Sequence, residues 1–224
     1  MGAGIFIMVI VLLFSVVFHE VSHGVIAFYL GDPTAKKMGR LTLNPIPHID
    51  PMMTVMLPLM LGLLSGWTIM FGGAKPVPVN PFNFKNMKRD MAITAAAGPL
   101  SNLTLIIISI ILYKILIIVG LDRIDPYLIF DTVNQSYLEN FFFYAVLINT
   151  VLMIFNLFPI PPLDGSKILM GFLSHEQADK FESVSKYGIG ILIGLIVLGN
   201  VFNFSIFGMA IFPVAEFFIK ILFL

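Results

Sequence analysis

Long apolar runs alternate along this chain with short polar stretches rich in proline and glycine. Residues 5–30 are the first such run, and about 20 apolar residues in a helix suffice to cross a bilayer core. Gly31, Asp32 and Pro33 end it, because the residue before a proline disfavours helix. Residues 34–51 are basic at Lys36, Lys37 and Arg40 and then break into short pieces around Pro45 and Pro47, so strand-like or irregular backbone is predicted there.

Residues 52–71 are apolar but interrupted by Pro58, Gly62, Ser65 and Gly66, and the next loop is again basic at Lys75, Lys85, Lys88 and Arg89. Positive charge favours the cytoplasmic side. A full crossing would put one of the two basic loops outside, whereas a re-entrant hairpin keeps both inside, so re-entry is expected. Residues 92–119 read as the second span. Residues 120–140, with four acidic side chains and one arginine, suit the outer side. Residues 141–158 return as the third span, and 167–186 are polar. Gly199, Asn200 and Asn203 divide residues 187–224 into two short spans.

The pattern predicts an all-α polytopic membrane protein of about five transmembrane helices plus a re-entrant hairpin or β-like loop. It reads as one membrane-embedded unit over 1–224, with its core at 5–170, the loop region at 34–90 and C-terminal spans at 187–224. The first run follows no basic segment or small-residue cleavage site and is read as a retained span.

Composition sharpens this picture. Of 224 residues, 58% are hydrophobic and 12% charged. Soluble domains carry about 25% charged residues, so the bilayer is the expected environment. Net charge is zero, and nothing points to a nucleic-acid partner. Cysteine is absent, so any metal must be held by histidine and carboxylate.

Within the first span lies His19-Glu20-Val21-Ser22-His23. Histidines four apart share one helix face and can grip one metal ion, usually Zn²⁺. Glu20 is placed to take a proton from a metal-activated water. Ionisable groups in a spanning segment are costly and are functional by default, against the plainer reading of core histidines bonded to carbonyls. A catalytic zinc wants three protein ligands and an open position. Asp164 is a candidate third ligand because it follows Pro159, Pro161 and Pro162 at the end of a span, with Gly165 allowing a sharp bend. From spacing alone, a solvated loop carboxylate or helix cap fits Asp164 equally well. His48 is a candidate fourth ligand or substrate contact, or else an interfacial histidine paired with Asp50 or a carbonyl. His175, beside Glu176 and Asp179, reads as surface.

Two motifs taken together add a resemblance. His19-Glu20-Val21-Ser22-His23, followed by Asn156, Pro159, Pro161, Leu163, Asp164 and Gly165 in an N-x-x-P-x-P-x-L-D-G segment, resembles the site-2 protease family of intramembrane zinc metalloproteases. Ala97-Gly98-Pro99 and Gly72-Gly73 resemble that family too. The resemblance implies one zinc per chain on His19, His23 and Asp164, with Glu20 as general base and acid. It implies Asn156 close to the substrate or the developing oxyanion. It also implies a re-entrant β element over about 41–79 that presents an edge to an unwound, single-span membrane substrate, with the site toward the cytoplasmic side of the cell membrane. The minimal prokaryotic type, without a PDZ or CBS domain, is the expected subgroup. Oligomeric state is not legible. The rival readings are a metal-ion transporter using His19, His23 and Asp164, which gives Glu20 no role, and a zinc protease acting on prenylated C-termini, whose further ligand motifs are not found.

Overall fold

The computed structural model describes residues 2–56, 60, 73–121, 136–202 and 204–224. Its helices are α1 (Gly2–Tyr29), α2 (Thr34–Lys37), α3 (Met87–Ile118), α4 (Tyr137–Leu157), α5 (Asp164–Phe172), α6 (His175–Ser185), α7 (Gly188–Val201) and α8 (Ile206–Phe223). Among them α1, α3, α4 and α8 are each long and apolar enough to cross a membrane. A fifth crossing results if α6 and α7, bent by 66° at their junction, form one broken span. The protein is an all-α polytopic membrane protein, and no strand forms among the described residues.

Two spans begin earlier than hydropathy suggests, and the reason is capping. α3 starts at Met87 rather than 92, with the Asn86 side chain accepting the Arg89 N–H and Asp90 in the first turn. α4 starts at Tyr137 rather than 141 behind a capping box of Ser136 and Glu139. Polar residues of this kind extend a helix while lowering its apolar score.

α3 packs against α1, α4 and α5, and α4 also packs against α1 and α8. The apolar core lies where Ile106, Ile110 and Tyr113 of α3 meet Phe142, Phe143 and Val146 of α4 and Ile219, Leu222 and Phe223 of α8. The Tyr113 ring lies 5.1 Å from Phe142 and 5.8 Å from Phe223, within the range of favourable aromatic pairs. Ile5, Phe6, Val9 and Ile10 at the start of α1 are exposed, as a lipid-facing surface requires.

Between α2 and α3 the described chain is irregular. It makes 3-10 turns at Ile46–His48 and Pro81–Asn83 and a π turn at Pro51–Met56. Apart from residues 52–56 and 60, the segment expected to re-enter at 52–71 lies outside the described residues, as does Gly72, and so does most of the acidic loop expected outside, at 122–135. Residues 73–80 form an extended strap where a β-like edge is expected. Its Lys75 N–H bonds the His48 carbonyl at 2.8 Å. Among the described residues no ladder follows, and Pro76, Pro78 and Pro81 carry no N–H to continue one.

Buried side chains pin this strap at both ends. Arg40 donates to the Lys75 carbonyl at 2.8 Å. Asp32, with no solvent exposure, accepts the Asn80 N–H at 2.7 Å and the Asn83 amide at 2.6 Å. Burial works against ionisation of Asp32, but bonds from Thr34, Asn83 and Asn80 outweigh it and hold the carboxyl below its ordinary range. Gly24 lets the strap lie against α1, since a Cβ there would come within 2.8 Å of the Val77 side chain.

Candidate active site

One helical turn brings the α1 histidines together, with ring centroids 4.7 Å apart and planes crossing at 87°. Their Nε2 atoms are 3.1 Å apart. Asp164, at the first position of α5, brings its Oδ2 to 3.1 Å from His19 Nε2 and 3.2 Å from His23 Nε2. All three side chains are buried. They form a group whose ligand atoms lie within 4.8 Å of one another.

Hydrogen bonds on the far side of each ring decide what these atoms are. His23 Nδ1 lies 2.7 Å from the Thr94 carbonyl, which can only accept, so Nδ1 carries the proton of the neutral ring and Nε2 presents a lone pair. His19 Nδ1 lies 2.7 Å from Asn102 Oδ1, which places its Nε2 lone pair likewise. Two imidazole lone pairs and a carboxylate oxygen therefore converge, and such a donor set calls for a cation. The fit is also metric. A tetrahedral site with bonds of about 2.0 Å has ligand–ligand edges of about 3.3 Å, and the three edges here are 3.1, 3.1 and 3.2 Å.

Two glycines make room for this cluster. A Cβ on Gly98 would sit 2.5 Å from both His19 Nε2 and His23 Nε2, too close for the rings to keep their places. A Cβ on Gly165 would come 2.2 Å from the Leu157 carbonyl oxygen. The sequence suggests a sharp bend at Gly165, yet the glycines with positive φ among the described residues are Gly31, Gly39 and Gly120. Gly165 is required for the close approach of α5 to the end of α4, which sets Asp164 against the histidines.

A cavity of about 300 Å³ opens in front of the cluster, with Glu20, Val77, Asn156 and Lys167 also on its wall. Glu20 Oε2 accepts the Val77 N–H at 2.8 Å, so the strap fixes this carboxylate. Asn156 donates to the Leu152 carbonyl at 3.0 Å, within its own helix. His48 is not in this group. Buried between turns of the loop, it lies 3.0 Å from the Thr42 carbonyl through Nε2 and lines a neighbouring apolar cavity of about 410 Å³ with Val16, Val17, Leu152 and Phe155. The side chain of His175 lies outside the described ones.

Residues 7–199 match the sequence family described as peptidase family M50. The chain belongs to that family. This is the site-2 protease family that the two motifs resemble. Over 190 residues the M50 chain is 36% identical to YwhC of Bacillus subtilis, provisionally named a zinc metalloprotease, covering 85% of this chain and 80% of that one. It is 31% identical over 196 residues to Rip2 of Mycolicibacterium smegmatis, named in the same way, covering 87% and 68%. Rip2 of Mycobacterium tuberculosis is 30% identical over the same shares. No solved structure matches the chain. Family and apolar helices together make this a multi-pass membrane protein of the peptidase class.

Sequence reasoning missed Asn102, the Val77 N–H and Lys167. Lys167 stands one turn beyond Asp164, a spacing that marks a shared helix face, and that was the available signal. Asn102 and Val77 gave none, because their roles depend on contacts between elements far apart in sequence.

Proposed function

We propose that this chain is an intramembrane zinc metalloprotease that hydrolyses a peptide bond in or near the membrane-spanning segment of a single-span protein. The convergence of His19 Nε2, His23 Nε2 and Asp164 Oδ2 within 3.1–3.2 Å, beside Glu20, carries this reading. The three side chains would hold one zinc. When bound, zinc supplies a Lewis acid that polarises the scissile carbonyl and acidifies water.

The rest of the chemistry belongs to the chain. Glu20 has one carboxylate oxygen engaged by Val77, which leaves the other to accept a proton from the attacking water. The same carboxyl then returns that proton to the departing amine. Asn156 and Lys167, on the cavity wall, would steady the substrate carbonyl as negative charge develops on it. In a helical substrate each amide is hydrogen-bonded in place and shielded by its neighbours. The scissile stretch would therefore enter unwound, and the extended strap beside Glu20 is the element against which it would lie.

Orientation follows from charge. The segments next to the site carry Lys36, Lys37, Arg40, Lys75, Lys85, Lys88 and Arg89, which suits the cytoplasmic side. The test is cleavage of a model single-span substrate by purified protein in detergent. Glu20→Gln should retain its zinc and lose about 10²–10⁴-fold in rate. Undiminished turnover by Glu20→Gln would overturn the assignment.

A further inference from the structure

Behind His19, away from the cavity, a line of buried polar side chains crosses three spans. Asn102 Oδ1 on α3 meets His19 Nδ1 at 2.7 Å, and Asn102 Nδ2 donates to Asn149 Oδ1 on α4 at 2.8 Å. Asn149 Nδ2 donates in turn to Ser15 Oγ on α1 at 2.9 Å and to the Ala145 carbonyl at 2.8 Å. Exposure is 1% at Ser15, 0% at Asn102 and 2% at Asn149. Water does not reach these groups, so each depends on the next for its partner.

The direction of every bond follows from one main-chain group. The Ala145 carbonyl can only accept, so the amide nitrogen of Asn149 must face it. Asn149 Oδ1 then faces Asn102 and must receive an N–H, so Asn102 presents its nitrogen there and its oxygen to His19. An oxygen at that place demands a proton on Nδ1 of His19, and the lone pair is left on Nε2. Reversing any amide would set oxygen against oxygen or N–H against N–H. His23 needs no such device, since its Nδ1 reaches the Thr94 carbonyl directly.

We propose that Asn102, Asn149 and Ser15 are a positioning relay that fixes the tautomer and ring plane of His19 and thereby sets the metal affinity of the site. The inference rests on the zinc reading above. Asn102 and Asn149 touch neither metal nor substrate; they act through His19. The relay also ties metal binding to the seating of α4 against α1 and α3, because Asn149 contributes from α4.

The test compares full-length wild type, Asn102→Leu, Asn149→Leu and the double variant, purified in detergent. Zinc affinity is read by competition with a chromogenic chelator, and packing by thermal unfolding of the metal-free protein. Asn102→Leu is expected to raise the zinc Kd about 10–100-fold. Asn149→Leu should raise it less, and the double variant should bind as Asn102→Leu does, because Asn149 acts only through Asn102. Wild-type zinc affinity in folded Asn102→Leu, or losses that add in the double variant, would overturn the relay. If Asn102→Leu does not fold, Asn149→Leu decides alone: a raised Kd supports the relay, and an unchanged Kd refutes it. A wild-type chain that binds no zinc fails the functional reading instead. The ¹⁵N shifts of the neutral His19 ring then decide the relay, with Nδ1 protonated in wild type and that preference lost in Asn149→Leu, or refuted if both chains share one tautomer mixture.

Discussion

Between residues 106 and 113, α3 offers Ile106, Ile110 and Tyr113 to Phe142, Phe143 and Val146 of α4. Between residues 94 and 102 the same helix offers the Thr94 carbonyl, the bare face of Gly98 and the Asn102 amide to His19, His23 and Asn149. Both regions are buried, yet different forces organise them. In the first, dispersion and aromatic contact are non-directional, and side chains of similar volume can replace one another at modest cost. In the second, the donor and acceptor role of each atom is fixed by its neighbours, so a shift of a few tenths of an ångström is felt at the ligand atoms. A bilayer supplies no water to repair a lost bond there. The apolar half supplies the stiffness on which the polar half depends for its precision.

The widest separation of the two regions should come from one added methyl group and one deletion. Gly98→Ala places a Cβ 2.5 Å from both Nε2 atoms, and we expect loss of zinc binding and of detectable cleavage in a protein that still folds. Ile106→Ala, in the apolar half, should lower stability by about 2–5 kcal/mol yet leave zinc stoichiometry and the rate of the folded fraction unchanged. Metal analysis beside thermal unfolding reads both. Zinc retained by Gly98→Ala would erase the distinction.

A smaller effect is expected at the joint that carries Asp164. Gly165→Ala forces α5 away from the Leu157 carbonyl, 2.2 Å from the new Cβ, and should weaken zinc binding about 10-fold or more. Chelator competition measures this, and an unchanged affinity would mean that α5 can shift without moving its carboxylate.

The smallest effect concerns the strap. Folding lowers the pKa of Asp32 below its ordinary value, so folding favours the ionised form. Its stabilisation is complete above the unfolded value of about 3.9 and disappears as pH falls through the lower folded value. Asp32→Asn should therefore melt below wild type at neutral pH, with the gap closing on acidification below about pH 4. A gap independent of pH would detach the carboxylate charge from the strap.

What could be read from sequence follows the same division. The histidine pair was legible because a four-residue spacing on a helix is local. Apolar runs located the spans, although Asn86 and Ser136 carried two helices beyond the hydropathy limits. Asp164 stands 145 residues from His19; spacing left it open, and the resemblance of its motif singled it out. Gly98 stood out through the resemblance of its Ala-Gly-Pro step to the family, and nothing in the sequence said that imidazole nitrogens stand where its side chain would be. Asn102 looks like any polar residue after a Gly-Pro step until α4 is placed beside it. His48 had the chemistry of a ligand, but its loop takes it into the neighbouring apolar cavity, where Thr42 engages its ring.

The central claim is that His19, His23 and Asp164 hold one zinc beside Glu20. It is tested most directly by the zinc content of the purified protein after dialysis against a mild chelator, comparing wild type, Glu20→Gln and Asp164→Ala. The account predicts about one zinc per chain in wild type and in Glu20→Gln, and loss of the metal from folded Asp164→Ala. Full zinc in Asp164→Ala, or none in folded wild type, would contradict it.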